Sequence, residues 1–205
     1  MRAIIITIAF LLLSCGNKNY EHSNIEKKPK KDNHLVLEDM VTSNGNVIKF
    51  KKIGEQSFLQ WNRKNKLETL DYPFDLNGAD AWLPRFVAEN DNYLLFRAGC
   101  GSSCWTGFIL PLNKNGNVTT ISEYLAYDLN QNYVAYLNYD TDNLEVLNIA
   151  SGEKQSFTTE SCDAAFKGYC IDTIYFKQKK ICYKWTTNAN QDSKRNSLIE
   201  LVLKI

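Results

Sequence analysis

The segment Asp91-Asn92-Tyr93-Leu94-Leu95-Phe96 returns about 40 residues later as Gln131-Asn132-Tyr133-Val134-Ala135-Tyr136. Downstream of each copy lies a second apolar stretch and a glycine turn: Phe108-Ile109-Leu110-Pro111 up to Gly116, then Leu144-Glu145-Val146-Leu147 up to Gly152. A third copy is expected near Asp172-Thr173-Ile174-Tyr175-Phe176, with a tighter hairpin before Ile181, and residues 34–70 offer a degenerate fourth. Each unit reads as strand, hairpin, strand, turn, strand. So short a unit cannot bury both of its faces alone, and its copies must stack on one another.

The rest of the chain has the same grain. Short apolar or alternating stretches are punctuated by Asn44-Gly45, Asn77-Gly78, Asn115-Gly116 and Ser151-Gly152, which favour tight turns through positive φ. No window keeps the apolar spacing of a helix for three turns, and the best attempt, 123–130, is short. Tyrosine is plentiful, as suits half-buried strand positions. The expected fold is all-β, with about four propeller-like antiparallel units. A β-sandwich is the alternative, since about 170 residues is small for a propeller. The apolar terminal strand, 198–205, is expected to close the sheets against the N-terminal part.

Upstream, Arg2 precedes an apolar run, 3–13, too short for a spanning helix of about 20 residues and built like a secretory signal. It ends in Leu12-Leu13-Ser14-Cys15-Gly16, which resembles the lipobox of bacterial lipoproteins. That resemblance implies cleavage before Cys15, acylation of Cys15 and a membrane anchor in one leaflet, at about 0.8 kcal/mol per buried CH₂. The organisation expected is a signal peptide at 1–14, the lipidated cysteine and a flexible tether at 15–33, and one all-β domain at 34–205. The tether run Glu26-Lys27-Lys28-Pro29-Lys30-Lys31-Asp32 reads as a solvated spacer. In enteric bacteria an acidic residue after the acylated cysteine favours inner-membrane retention. Gly16 stands there instead, so an outer-membrane lipoprotein, periplasmic or surface facing, is expected. The formal net charge is +1, no basic face carries interleaved aromatics, and nucleic acid is rejected as a partner.

Five cysteines remain once Cys15 is acylated, in a compartment where thiols oxidise. Cys100 and Cys104 enclose Gly101-Ser102-Ser103 at the point where the first repeat is longer than the second, so a disulfide there would pin a hairpin tip. A redox dithiol would space its cysteines by two residues at a helix start, which this pair does not. Cys162 and Cys170 flank a loop between units and form a second disulfide candidate. Cys182 lies within a strand, opposite Ile181, Tyr183 and Trp185, and is expected to be a buried free thiol. Pairing of Cys182 with Cys162 or Cys170 stays open, because connectivity cannot be read from spacing. A four-cysteine zinc site is disfavoured by the spacing and by oxidation.

The run Arg97-Ala98-Gly99-Cys100-Gly101-Ser102-Ser103-Cys104, followed by a strand and by Asn115-Gly116-Asn117-Val118, is similar to a motif in a family of exported bacterial lipoproteins. In that family a Gly-Cys-Gly-x-x-Cys hairpin precedes an apolar strand, a glycine turn and propeller-like β repeats. The resemblance covers roughly 91–185 and departs at Pro111-Leu112-Asn113, where an acidic residue is common. It implies fold and export, and no activity.

The only histidines, His22 and His34, lie in the tether or at its edge, which removes Ser-His and Cys-His nucleophiles and histidine metal sites from the domain. Ser151-Gly152-Glu153-Lys154 has the spacing of a serine–lysine dyad but lies on a hairpin turn. Asp75, Asn77 and Asp80 space oxygen ligands somewhat like a calcium loop without its closing acid, a weak calcium candidate; Asp and Asn also dominate ordinary turns. No cofactor is expected. The leading expectation is a non-enzymatic, lipid-anchored module that binds an envelope protein or glycan. Its contact loops would carry Trp82 and Arg85, and Ser102, Ser103 and Trp105; the two tryptophans are either core aromatics or exposed contacts. The alternative is a carboxylate-based hydrolase acting on an envelope or extracellular glycan, for which converging acids in an open cleft would be the sign.

Overall fold

The repeat and its turns build four antiparallel meanders, one after another along the chain. The computed structural model describes residues 37–76, 82–101, 104–162, 164, 167–186 and 197–205. The first sheet holds β1 (Met40–Val41), β2 (Val47–Ile53), β3 (Gln56–Arg63) and β4 (Lys66–Asp75). The second holds β5 (Arg85–Glu89), β6 (Tyr93–Gly99), β7 (Trp105–Pro111) and β8 (Thr119–Ile121). The third holds β9 (Tyr124–Asp128), β10 (Tyr133–Asn138), β11 (Asn143–Asn148) and β12 (Lys154–Phe157). A short 3-10 turn, Lys167–Cys170, leads into the fourth: β13 (Ile171–Lys177), β14 (Lys180–Trp185) and β15 (Ser197–Val202). The fold is all-β, and the degenerate first unit expected within 34–70 is a full four-stranded sheet that runs on to Asp75.

The sheets stack in chain order. Ile48, Trp61 and Phe74 of the first meet Phe96, Phe108 and Leu110 of the second. Tyr93, Leu95 and Ile109, on the other face of the second, meet Val134, Tyr136 and Leu147 of the third. Ala135, Leu144 and Val146 then meet Ile181, Tyr183 and Trp185 of the fourth. The middle sheets are therefore covered on both faces, which is why β6 and β10 are nearly continuous apolar runs rather than alternating ones. The first and last sheets each leave one face in water, marked by Lys49, Lys51 and Ile53 in β2 and by Thr173, Tyr175 and Lys177 in β13.

Each junction is also pinned by an aromatic donor. Trp61 Nε1 donates to the Pro111 carbonyl at 2.9 Å, and the Tyr93 hydroxyl donates to the Ile149 carbonyl at 3.2 Å. Tyr133, the repeat partner of Tyr93, donates its hydroxyl to the main-chain oxygen of Ile205. Burial of one large apolar side chain contributes about 1.5–3 kcal/mol and one such hydrogen bond about 0.5–1.5. Packing therefore drives the docking, and the hydrogen bonds set its register.

Three expectations change. The third copy is β14, not the 172–176 stretch in β13. The bonds that extend the central strand pairs, Leu112 N to Asn92 O and Ile149 N to Asn132 O, have their counterpart in Leu203 N to Lys179 O, immediately before β14. Ile174-Tyr175-Phe176 is as apolar as Leu94-Leu95-Phe96, but β13 is an edge strand whose alternate residues face water. The terminal strand does not reach the N-terminal sheet: β15 pairs with β14, residue for residue from Ser197–Trp185 to Val202–Lys180. Gly116 does not take the positive φ expected of it. It is needed for space, because a Cβ there would lie 2.5 Å from the Pro111 Cβ.

Candidate functional site

The second and third sheets run side by side with the β6–β7 and β10–β11 hairpins at a common end, where a disulfide and two tyrosine–carboxyl pairs gather. Cys100 and Cys104 cap the β6–β7 hairpin there as a disulfide, with Cα atoms 5.4 Å apart. The Cys100 N–H also donates to the Cys104 carbonyl. Glu123, in the turn between β8 and β9, lies with its carboxylate within 4.8 Å of both sulfurs. The Tyr139 hydroxyl, at the β10–β11 hairpin, donates to Glu123 Oε1. A disulfide of one sheet, a carboxyl of the connecting turn and a tyrosine of the next sheet are thus in series. The two sulfurs with Glu123 are the one grouping of three metal-type side chains among the described residues, but the sulfurs are bonded to each other.

A second tyrosine–carboxyl pair lies alongside. The Tyr136 hydroxyl donates to Glu145 Oε2, and the Asn138 amide donates to Glu145 Oε1 at 2.7 Å. Register explains the convergence: Tyr136 stands opposite Glu145 on one side and opposite Tyr124 on the other. Glu123 is 2% exposed and Glu145 8%. Burial pushes the Glu123 carboxyl up, against the opposing pull of the Tyr139 hydrogen bond. The Tyr139 phenol is pushed up to about 12, first by its bond to Glu123, then by burial and the carboxylate charge. Burial, the hydrogen bond to Glu145 and its charge push the Tyr136 phenol up in the same direction.

In front of these pairs, between β8 of the second sheet and β10–β12 of the third, opens a cleft of about 400 Å³. Its lining includes Thr119, Thr120 and Ser122, Asn138, the two tyrosines, Asp140 and Lys154. The Lys154 ammonium lies 5.8 Å from the centre of the Tyr136 ring. Leu147 and Ile121 supply the apolar floor.

The residues singled out in the sequence distribute around this end. Trp82 is 46% exposed and, with Tyr72, Phe74, Asp75 and Cys100, lines a smaller pocket of about 280 Å³ between the first and second sheets. Trp105 faces the other way, half-buried beside the cluster that joins the second and third sheets. The Arg97 guanidinium covers its ring, 4.3 Å from the centroid. Arg85 is exposed, across the ladder from Arg97. The two tryptophans therefore flank the disulfide hairpin on opposite sides and do not form one patch. Asp75 ends β4, while Asn77 and Asp80 of the calcium candidate, Ser102 and Ser103 of the contact loop, and both histidines lie outside the described residues, as does Cys15.

Cys162 and Cys170 pair as a second disulfide, with Cα atoms 6.2 Å apart, and Cys182 is a buried free cysteine. Ser151 Oγ donates to Glu153 while Lys154 turns to the cleft, so the serine–lysine spacing does not become a dyad. The sequence reading missed Glu123, Glu145, Tyr136 and Tyr139. One signal was available: Glu145 occupies the place of Phe108 in an otherwise apolar strand, and a charge in a core strand asks for a partner. No protein-family model matches this sequence, and no curated protein matches it either.

Proposed function

We propose that this chain is a lipid-anchored binding module of the bacterial cell envelope, carried on the outer membrane by acylated Cys15 and held off the surface by the 15–33 tether. The partner is an envelope protein or glycan that docks at the end of the domain bearing the Cys100–Cys104 hairpin. The carrying observation is the disposition of the two buried carboxyls. Glu123 and Glu145 lie behind the cleft with tyrosine hydroxyls bonded to them, while the lining residues offer hydroxyls, an amide, an ammonium and one carboxyl, that of Asp140, where hydrolysis would need two. Glycoside hydrolysis needs two carboxyls facing the scissile bond, about 5–9.5 Å apart. This wall is equipped to hold a ligand, and binding is the better supported reading.

The test uses the full-length chain made in a bacterium with an outer membrane. Wild type is expected in the outer-membrane fraction with acyl mass on Cys15, and Cys15→Ser in neither state. Pull-down from solubilised envelope is then compared between wild type and Trp105→Ala, alongside hydrolysis assays on a glycan panel. Recovery of no partner together with turnover of a glycan would overturn the reading in favour of the hydrolase.

A further inference from the structure

Resting on that reading, we infer that the cleft between the second and third sheets is a carbohydrate site, taking a short oligosaccharide between the ring of Tyr139 and the hydroxyl-bearing strand β8. Sugars present many hydroxyls around a ring whose C–H face is weakly apolar. They are held by side chains that donate and accept together, and by aromatic surface fixed in advance. The cleft has both. Thr119 and Thr120 of β8 and Ser122 of the following turn are among the lining residues, and a hydroxyl can both donate and accept. Asn138 adds an amide, Lys154 adds donors without an acceptor, and Asp140 adds a carboxylate that accepts. The volume of about 400 Å³ lies within the roughly 300–1,000 Å³ of small-ligand pockets.

The aromatic side is the more telling. Tyr139 is 62% exposed, yet its hydroxyl is bonded to a carboxyl that is 2% exposed. Tyr136 is tied in the same way to Glu145. Burying a carboxyl opposes folding, and two such groups beside one cleft, each holding a tyrosine that lines it, are poor choices for stability alone. They restrict both rings before any ligand arrives, which lowers the entropy lost on binding. An exposed ring held by its own hydroxyl offers its face to a sugar rather than its polar tip. The smaller pocket at Trp82 has no comparable set of hydroxyls.

The probe is an array of short neutral and acidic oligosaccharides, read with the full mature domain and followed by backbone-amide NMR titration of any sugar retained. At least one oligosaccharide is expected to bind and to shift the amides of Thr120, Asn138, Tyr139 and Lys154. Tyr139→Ala and Thr120→Val are expected to weaken it about tenfold or more, a loss of about 1.4 kcal/mol per tenfold. Tyr139→Phe, which keeps the ring and loses the anchoring hydroxyl, should fall between Tyr139→Ala and wild type. Tyr175→Ala, on the fourth sheet, should bind as wild type does. Retention of a sugar that is indifferent to both cleft variants would overturn the inference. So would a blank array with a partner protein recovered from envelope, a result that leaves the binding-module reading standing. Cleavage of a retained sugar, lost in the cleft variants, would overturn the binding-module reading while leaving the cleft as the sugar site.

Discussion

Glu89 at the end of β5 accepts the Thr42 hydroxyl at 2.5 Å, joining the second sheet to the turn that opens the first. The same carboxylate accepts the Ser43 hydroxyl, the Asn44 N–H and the Asn46 amide, at 2.7, 2.8 and 2.8 Å. Burial pushes this carboxyl up, but four hydrogen bonds outweigh it and hold the pKa at about 2, below the ordinary 4.5. A carboxyl depressed by folding stabilises the native state above its unfolded pKa, and that stability is lost as pH falls through the folded value.

Glu89→Gln is therefore expected to lower stability at neutral pH by about 1 kcal/mol, a figure reduced because the side chain is partly in water. The deficit should shrink between about pH 4.5 and pH 2, where wild type itself becomes protonated. Urea unfolding of both proteins across this range is the measurement. A deficit that stays constant with pH would show that the carboxylate charge is not what holds the turn.

Glu123 carries the opposite sign. Its carboxyl is raised by burial, so the native state keeps a proton that the unfolded chain has released, and stability falls as pH rises from the ordinary carboxyl value to the raised one. Glu123→Gln keeps an acceptor for Tyr139 and removes the ionisation. Its stability should be flat through that window, meeting or exceeding wild type above it. Chemical unfolding of the two proteins at mildly acidic and neutral pH compares the slopes.

Gly107 tests how closely the second and third sheets approach. A Cβ there would lie 3.1 Å from ring atoms of Tyr124, itself 5% exposed. Gly107→Ala is expected to cost about 1–3 kcal/mol by overpacking. Adding Tyr124→Leu should recover part of that loss, which a double-mutant cycle in urea would read as a coupling between the two sites.

Reduction of the hairpin disulfide should be felt locally. Closing so short a loop removes little chain entropy, so Cys100→Ser with Cys104→Ser is expected to lose less than the ~3 kcal/mol of a loop of about 15 residues. The variant should become sensitive to protease at the hairpin and change the environment of Tyr139, because Glu123 links the two. Limited proteolysis and tyrosine NMR signals check this against a global loss of melting temperature.

The period of the repeat and the two-sided burial of β6 and β10 were legible, because a strand covered on both faces leaves an unbroken apolar run. The edge strands β5 and β9 were not. Arg85–Glu89 carries charges at both ends, and Tyr124–Asp128 lies in the window closest to helical spacing. The third copy slipped from β14 to β13 because Cys182 and Lys184 thin the apolar run of the true central strand, while Tyr175 and Phe176 imitate it. The site was hardest to see. Glu123 and Tyr139 are ordinary turn residues until the stacking of two sheets brings them together, and no local spacing records that meeting.

The tyrosine pins between the sheets end on main-chain oxygens of Ile149 and Ile205, not on side chains. Every residue type carries a carbonyl, so no single substitution in the receiving sheet can delete the acceptor. The joint is encoded on one side only. Successive sheets can drift apart in sequence, as the first has from the second, and still dock, provided each keeps its donor. That asymmetry lets a repeat survive in structure after it has faded from the residues themselves.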